Sequence, residues 1–179
     1  MTVACLGWGS LIWDPRELPL SGEWLPDGPL LPLEFARESK DGRMTLVIAD
    51  HKVPTPTFWI KLDVGNVEEA VRALYDREGA QWIGSIGRWP PRVHPHRYAE
   101  EIGTWGLANG LEGVVWTDLK AGFRSHRGPV PTLEAVMRHL SDLPGEARSN
   151  AARYISNAPA QIETPYRAAL EHLLCEDLR

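Results

Sequence analysis

The chain reads as an α+β domain, with strands carried mostly by its first two thirds and helices concentrated in its C-terminal third. Three observations predict this. Residues Phe58 to Val64 alternate Phe58, Ile60, Leu62 and Val64 against Trp59, Lys61 and Asp63, the period-two pattern of a half-buried strand. Beyond residue 130, three successive segments carry apolar residues at helical spacing. The 179 residues, 43% hydrophobic and 24% charged, contain no repeat and no low-complexity linker, which suits one globular domain spanning residues 1–179.

In chain order, Val3 to Leu6 is a short apolar strand that runs into Gly7-Trp8-Gly9-Ser10-Leu11-Ile12-Trp13. A proline-rich connection follows from Pro15 to Pro32, then a buried strand from Met44 to Ala49 and the alternating strand from Phe58. Residues Val67 to Glu78 form a helix, opened by the cap-like Asn66 with Glu69 three residues on and closed by Gly79. Trp82 to Trp105, with Trp89-Pro90-Pro91 and His94-Pro95-His96, reads as a long irregular loop or lid. A further strand spans Glu112 to Leu119, entered through Asn109-Gly110. The closing helices are marked by Leu133, Val136, Met137 and Leu140, by Glu146 to Ile155, and by Thr164 as cap with Pro165 in first helical position, leading Tyr166, Ala169, Leu170, Leu173 and Leu174 along one face.

A net charge of −5 gives no general attraction to nucleic acid or to an anionic membrane; the basic cluster Arg124-Ser125-His126-Arg127 is a candidate ligand contact, although most such clusters are solvated loops. No apolar stretch approaches the roughly 20 residues of a membrane span, and the N-terminus lacks the basic region of a secretion signal. Cys5 and Cys175 lie at opposite ends of the chain inside apolar patterns, as small core residues rather than a disulfide framework. A cytoplasmic protein is expected.

The turn at Gly7 to Trp13 carries the first functional signal. Two glycines around one aromatic let the backbone bend sharply after a strand and leave N–H groups facing a ligand, so the loop is a candidate anion cradle; a plain strand-to-loop turn pinned by Trp8 and Trp13 is the competing reading. It is not a nucleotide signature. Ile12 stands where a dinucleotide fingerprint needs its third glycine, Trp8 and Ile12 stand where a nucleophile elbow centred on Ser10 needs glycines, and no Lys-Ser or Lys-Thr pair closes a P-loop.

The second signal is Glu78. At 100° per residue, Val67, Ala70, Val71 and Leu74 make one apolar stripe, and Glu78 falls inside it, whereas Asp76 and Arg77 are read as pointing elsewhere. Burial and the negative end of the helix dipole both disfavour a charged carboxylate, so Glu78 is expected to titrate above the ordinary range and to accept and return a proton near neutrality. Fraying of the last turn, or a fixed ion pair with an arginine such as Arg37 or Arg43, would remove that role.

Together these two features resemble the gamma-glutamylcyclotransferase family, in particular its ChaC branch, through Trp8-Gly9-Ser10-Leu11-Ile12-Trp13. Supporting pieces are Phe35 to Ser39 leading to Gly42-Arg43-Met44-Thr45-Leu46-Val47, Ala73-Leu74-Tyr75-Asp76-Arg77-Glu78, and Asn150 and Tyr154 in a C-terminal helix. The resemblance implies a mixed β-barrel-like sheet flanked by helices, and a reaction without metal or cofactor. In that reaction the α-amine of a gamma-glutamyl group attacks its own side-chain amide, releasing 5-oxoproline and an amine. Glu78 would be the catalytic acid and base; Trp8, Gly9, Ser10 and Leu11, with Trp116, would bind the small-molecule gamma-glutamyl substrate.

The sequence departs from the family where Trp8 and Trp116 replace tyrosines, where Asp50-His51-Lys52 only approximates an aspartate-histidine-arginine-glycine stretch, and in the length of the Trp82 to Trp105 segment. Glutathione is therefore one candidate among gamma-glutamyl peptides and amines. A non-catalytic protein of the same fold, binding a small anion or a partner protein, is the alternative. Exposure of Glu78, or its capture by an arginine, would favour that alternative; a cavity shared with the Gly9 to Leu11 amides would favour catalysis. A hydrolase using Ser10 would need a histidine and an acid within reach. His94-Pro95-His96 with Glu100 or Glu101 is a weak metal pattern, and no metal is expected.

Overall fold

The computed structural model describes residues 1–50 and 52–175. The strands are β1 (Val3–Gly7), β2 (Leu20–Leu25), β3 (Leu30–Glu38), β4 (Met44–Ile48), β5 (Pro54–Pro56), β6 (Phe58–Leu62), β7 (Ile86–Trp89), β8 (Gly113–Thr117), β9 (Gly122–Phe123) and β10 (His126–Arg127). The helices are α1 (Val67–Glu78), α2 (Ala99–Ala108), α3 (Leu133–Ser141), α4 (Gly145–Asn157) and α5 (Arg167–Leu174). The chain divides into two compact units, Met1–Leu30 with Pro56–Leu119, and Leu31–Thr55 with Lys120–Arg179.

The first unit is built on a five-stranded sheet of order β2-β6-β1-β8-β7, antiparallel except for the central pair β1 and β8. One face carries Val3 and Cys5 of β1, Ile60 and Leu62 of β6, Ile86 and Val115. Against them α1 lays Val67, Ala70, Val71 and Leu74, as the helical stripe predicted. The local signals at the ends of α1 also hold. The Asn66 side chain accepts from the Glu69 N–H, and Gly79 ends the helix in the left-handed conformation. The other sheet face is covered as well, which is why Trp59, placed by alternation opposite the core residues, is buried.

Trp82 to Trp105 is not an irregular loop. It contains β7, paired with β8 from Ile86↔Thr117 to Trp89↔Val114, and it leads into α2. Gly103 and Gly106 lower the intrinsic helix preference of α2, but a Cβ on Gly103 would stand 2.2 Å from Nε1 of Trp89, so the absent side chain is what admits the indole. Tertiary packing outweighs propensity there.

The second unit holds a four-stranded path, β10-β9-β3-β4, with β5 pairing β3. β2 and the first residues of β3 arise where the sequence shows only a proline-rich connection. Phe35 of β3 meets Tyr154 of α4 edge-on with centroids 6.4 Å apart, and the Tyr154 hydroxyl accepts from the Leu46 N–H at 3.2 Å. α5 begins two residues beyond the predicted Pro165 start, because the Thr164 hydroxyl donates to Glu34 at 2.6 Å instead of capping the helix.

Two features of the predicted architecture are corrected. Among the described residues both strand paths are open, so the sheet is not a closed barrel, and α1 and α2 lie before residue 110, so helices are not concentrated in the C-terminal third. Cys5 is buried as expected, but Cys175 at the end of α5 is exposed. Among the described residues no helix is long and apolar enough to cross a membrane.

Candidate functional site

The loop after β1 closes on itself through backbone bonds. The Ile12 N–H donates to the Gly9 carbonyl at 3.0 Å and the Asp14 N–H to the Ser10 carbonyl at 2.8 Å. Carbonyls are thereby consumed while the amides ahead of them are not. Among the described residues, the N–H groups of Gly9, Ser10 and Leu11 find no acceptor, the condition of the first turn of a helix and of backbone anion nests. Trp8 and Leu11 are both buried, which anchors the turn from within.

The end of α1 meets this loop through a residue that sequence reasoning misplaced. Arg77, read as pointing to solvent, has a side chain only 5% exposed, against 19% for Glu78. Its guanidinium donates to Glu78 Oε1 at 2.6 Å, to the Asp14 carbonyl through Nε at 3.2 Å and again through Nη2, and to Ser10 Oγ at 3.4 Å. The Arg77 carbonyl, one of the last on the helix, accepts from Arg16 at 3.1 Å. A signal for this was present, because Arg77 is three after Leu74 and seven after Ala70 and so borders the apolar stripe.

Glu78, expected inside the stripe, lies instead partly exposed at its rim, because Arg77 takes the buried position, and it is ion-paired with that neighbour rather than with Arg37 or Arg43. Its Oε2 has no hydrogen-bond partner among the described residues. Beneath it, the thiol of Cys5 is pushed well above its usual range by burial and further by the negative charge of Glu78, partly offset by Arg77. Cys5 is held protonated and is no nucleophile.

Among the described residues, Ser10 has neither the base nor the acid of a nucleophilic serine. Its hydroxyl is met by the Arg77 guanidinium, which accepts no proton. The Ser10 hydrolase reading therefore loses its support.

Trp116 is not brought to this cluster. The register Cys5↔Val115 on β1 and β8 puts Val115 on the α1 face and Trp116 on the opposite one. There it is fully buried, its Nε1 is without a partner among the described residues, and its ring lies so close to Gly87 that a Cβ on that glycine would come within 2.2 Å. Beside it His96 contacts the ring edge-on, and Nδ1 of His96 lies 3.1 Å from Asp118 Oδ2. Arg97 reaches Asp118 Oδ1 at 2.8 Å. Burial alone would raise the Asp118 carboxyl, but the hydrogen bond from His96 and the Arg97 charge outweigh it and hold the group below the usual range. His96 is thus committed to a carboxylate, and among the described residues no group of three or more His, Cys, Asp or Glu side chains is arranged for a metal ion.

Of the other tryptophans, Trp105 donates to the Asp27 carbonyl and packs on Trp59, and Trp89 sits over Gly103, whereas Trp82 is exposed. Within the family-like stretch Asp50-His51-Lys52, His51 lies outside the described residues.

No family model and no curated protein matches the sequence. Among solved structures the chain is similar to a yeast gamma-glutamyl cyclotransferase specific to glutathione. The TM-score is 0.53 at 14% identity, covering 98% of this chain and 99% of that one. The fold is accordingly that of the gamma-glutamyl cyclotransferases: α+β, with two mixed sheets and five helices.

Proposed function

We propose that the protein is a gamma-glutamylcyclotransferase that cleaves a gamma-glutamyl peptide or amine into 5-oxoproline and the released amine. The observation that carries this reading is the joint placement of three unpaired amides, Gly9 to Leu11, and a carboxylate with one open oxygen, Glu78, around a single guanidinium. The fold of the yeast glutathione-specific enzyme supports it, as does the match of Trp8 to Trp13 to the ChaC-like start.

The chemistry needs little more than these parts. The substrate α-amine attacks its own γ-carbonyl carbon; that C–N bond forms as the original amide C–N bond breaks. Holding the γ-glutamyl chain bent supplies the advantage of an intramolecular reaction. The attacking ammonium loses two protons as it becomes the lactam N–H, and Glu78 relays them to the leaving nitrogen, which departs as an ammonium, so protons balance without a resident cofactor. The Gly9, Ser10 and Leu11 amides bind the substrate carboxylate or the developing oxyanion. Trp8 lines the loop from inside; Trp116, buried on the other sheet face, contributes nothing direct in this arrangement. Glutathione is the first substrate to try. Two unpaired cysteines, one of them exposed, suit a reducing cytoplasm.

One observation favours a second reading. Glu78 is captured by an arginine, the condition set out above for a non-catalytic protein binding a small anion or a partner. Incubation with a panel of gamma-glutamyl peptides and amines, with 5-oxoproline as readout and Glu78→Gln as control, separates the two. Turnover lost in Glu78→Gln supports catalysis, and no turnover of any substrate leaves the binding reading.

A further inference from the structure

Resting on that reading of the site, we infer that Arg77 is its positioning residue, a buried fork that ties the Glu78 carboxylate to the Ser10 loop and sets the spacing between acid and amides. The contacts come from three places in the chain. Nη1 holds Glu78 Oε1 at 2.6 Å, Nη2 reaches Ser10 Oγ at 3.4 Å, and Nε with Nη2 grips the Asp14 carbonyl. Adjacent residues on a helix do not normally face each other, so a contact between Arg77 and Glu78 requires both side chains to turn toward one point. That point is the loop bearing the unpaired amides. The helix end is itself locked, since Arg16 donates to the Arg77 carbonyl while pairing with Asp14 at 3.4 Å.

Geometry makes this work specific to arginine. A planar fork with five N–H donors can serve a carboxylate, a hydroxyl and a carbonyl at once, whereas an ammonium on a flexible stem cannot hold all three in fixed directions. The guanidinium leaves Glu78 Oε2 for a substrate ammonium and itself faces no open acceptor. It therefore acts through Glu78 and not on the substrate. The same ion pair that captures Glu78 is the device that aims it.

The test is a cycle of Arg77→Ala, Arg77→Lys, Glu78→Gln and the double variant Arg77→Ala with Glu78→Gln, each checked for folding by circular dichroism. Because backbone bonds close the loop without Arg77, Arg77→Ala is expected to lower kcat about a hundredfold while KM moves by less than about threefold. Arg77→Lys should recover only part of the loss, and added guanidinium salt should restore turnover to Arg77→Ala. In the Glu78→Gln background, Arg77→Ala should cost almost nothing further, because the two act as a unit. Full independence of the two losses, or an Arg77→Ala enzyme with wild-type kcat, would overturn the inference.

A second measurement does not depend on turnover. Amide hydrogen exchange at Ile12 and Asp14 should be about tenfold faster in Arg77→Ala, and unchanged exchange would show that Arg77 positions nothing. If the wild-type protein yields no 5-oxoproline while exchange still responds, the proposed reaction fails and the positioning role stands.

Discussion

Glu34 and Glu78 are both acids set into apolar surroundings, and they are treated in opposite ways. Glu34, in the middle of β3, is fully buried, and every direction around its carboxylate is answered. Oε1 accepts from the Phe35 N–H at 2.9 Å and the Thr164 hydroxyl at 2.6 Å, and Oε2 accepts from the Tyr166 N–H at 3.2 Å. Burial still pushes its carboxyl above the ordinary value of 4.5, against those bonds and the charge of Lys52. Glu78, at the end of α1, keeps a share of its surface and has one charged partner on one oxygen. The difference separates structure from chemistry. A carboxylate both of whose oxygens accept from its own chain has little left for a ligand, while one held through a single oxygen keeps the other open.

The comparison breaks most readily at Glu78. Glu78→Gln should lower 5-oxoproline release by about 10²- to 10⁴-fold with little change in urea midpoint, while Glu34→Gln should leave kcat near wild type. A Glu34→Gln protein that folds but is as dead as Glu78→Gln would erase the distinction.

Next in size is the stability carried by Glu34. Glu34→Ala strands three buried donors, of Phe35, Thr164 and Tyr166, and should cost about 2–4 kcal/mol in urea unfolding. Glu34→Gln keeps an acceptor oxygen and should cost much less.

Smaller effects sharpen the contrast through pH. With its folded value raised, the stability that Glu34 contributes is fully present below 4.5 and is lost as pH rises through the raised value. Glu34→Gln should therefore flatten the fall in urea midpoint above about pH 4.5; an unchanged profile would show that the acid is not titrating there. Asp118 has the opposite sign. Its value is depressed, so its contribution is complete above 3.8 and is lost as pH falls through the lower folded value, a loss that Asp118→Asn should abolish in acid unfolding below about pH 4.

What could be read in advance was local. Asn66 with Glu69 and Gly79 defined α1, because a cap is satisfied within four residues of itself. The alternation of β6 and the apolar runs of β1, β4 and β8 carried their own period. In the candidate site, the turn from Trp8 to Leu11 and the position of Glu78 at the end of α1 were visible because each depends only on neighbouring residues.

The rest was decided by partners far away in sequence. β7 exists because β8 offers it a ladder, and α2 tolerates two glycines because Trp89 fills the space left by one of them. Thr164 abandons its cap for a carboxylate 130 positions earlier. Arg77 turns inward because the acceptors that satisfy it, at Ser10 and Asp14, arrive only when β1 and α1 have packed. Trp116 turns away from the site because strand register, not residue type, chooses its face. The sequence alone thus determined which residues had chemistry to offer and where locally signalled elements such as α1 and β6 lie; burial and pairing, which need the whole chain assembled, determined the remaining elements and which of those residues meet.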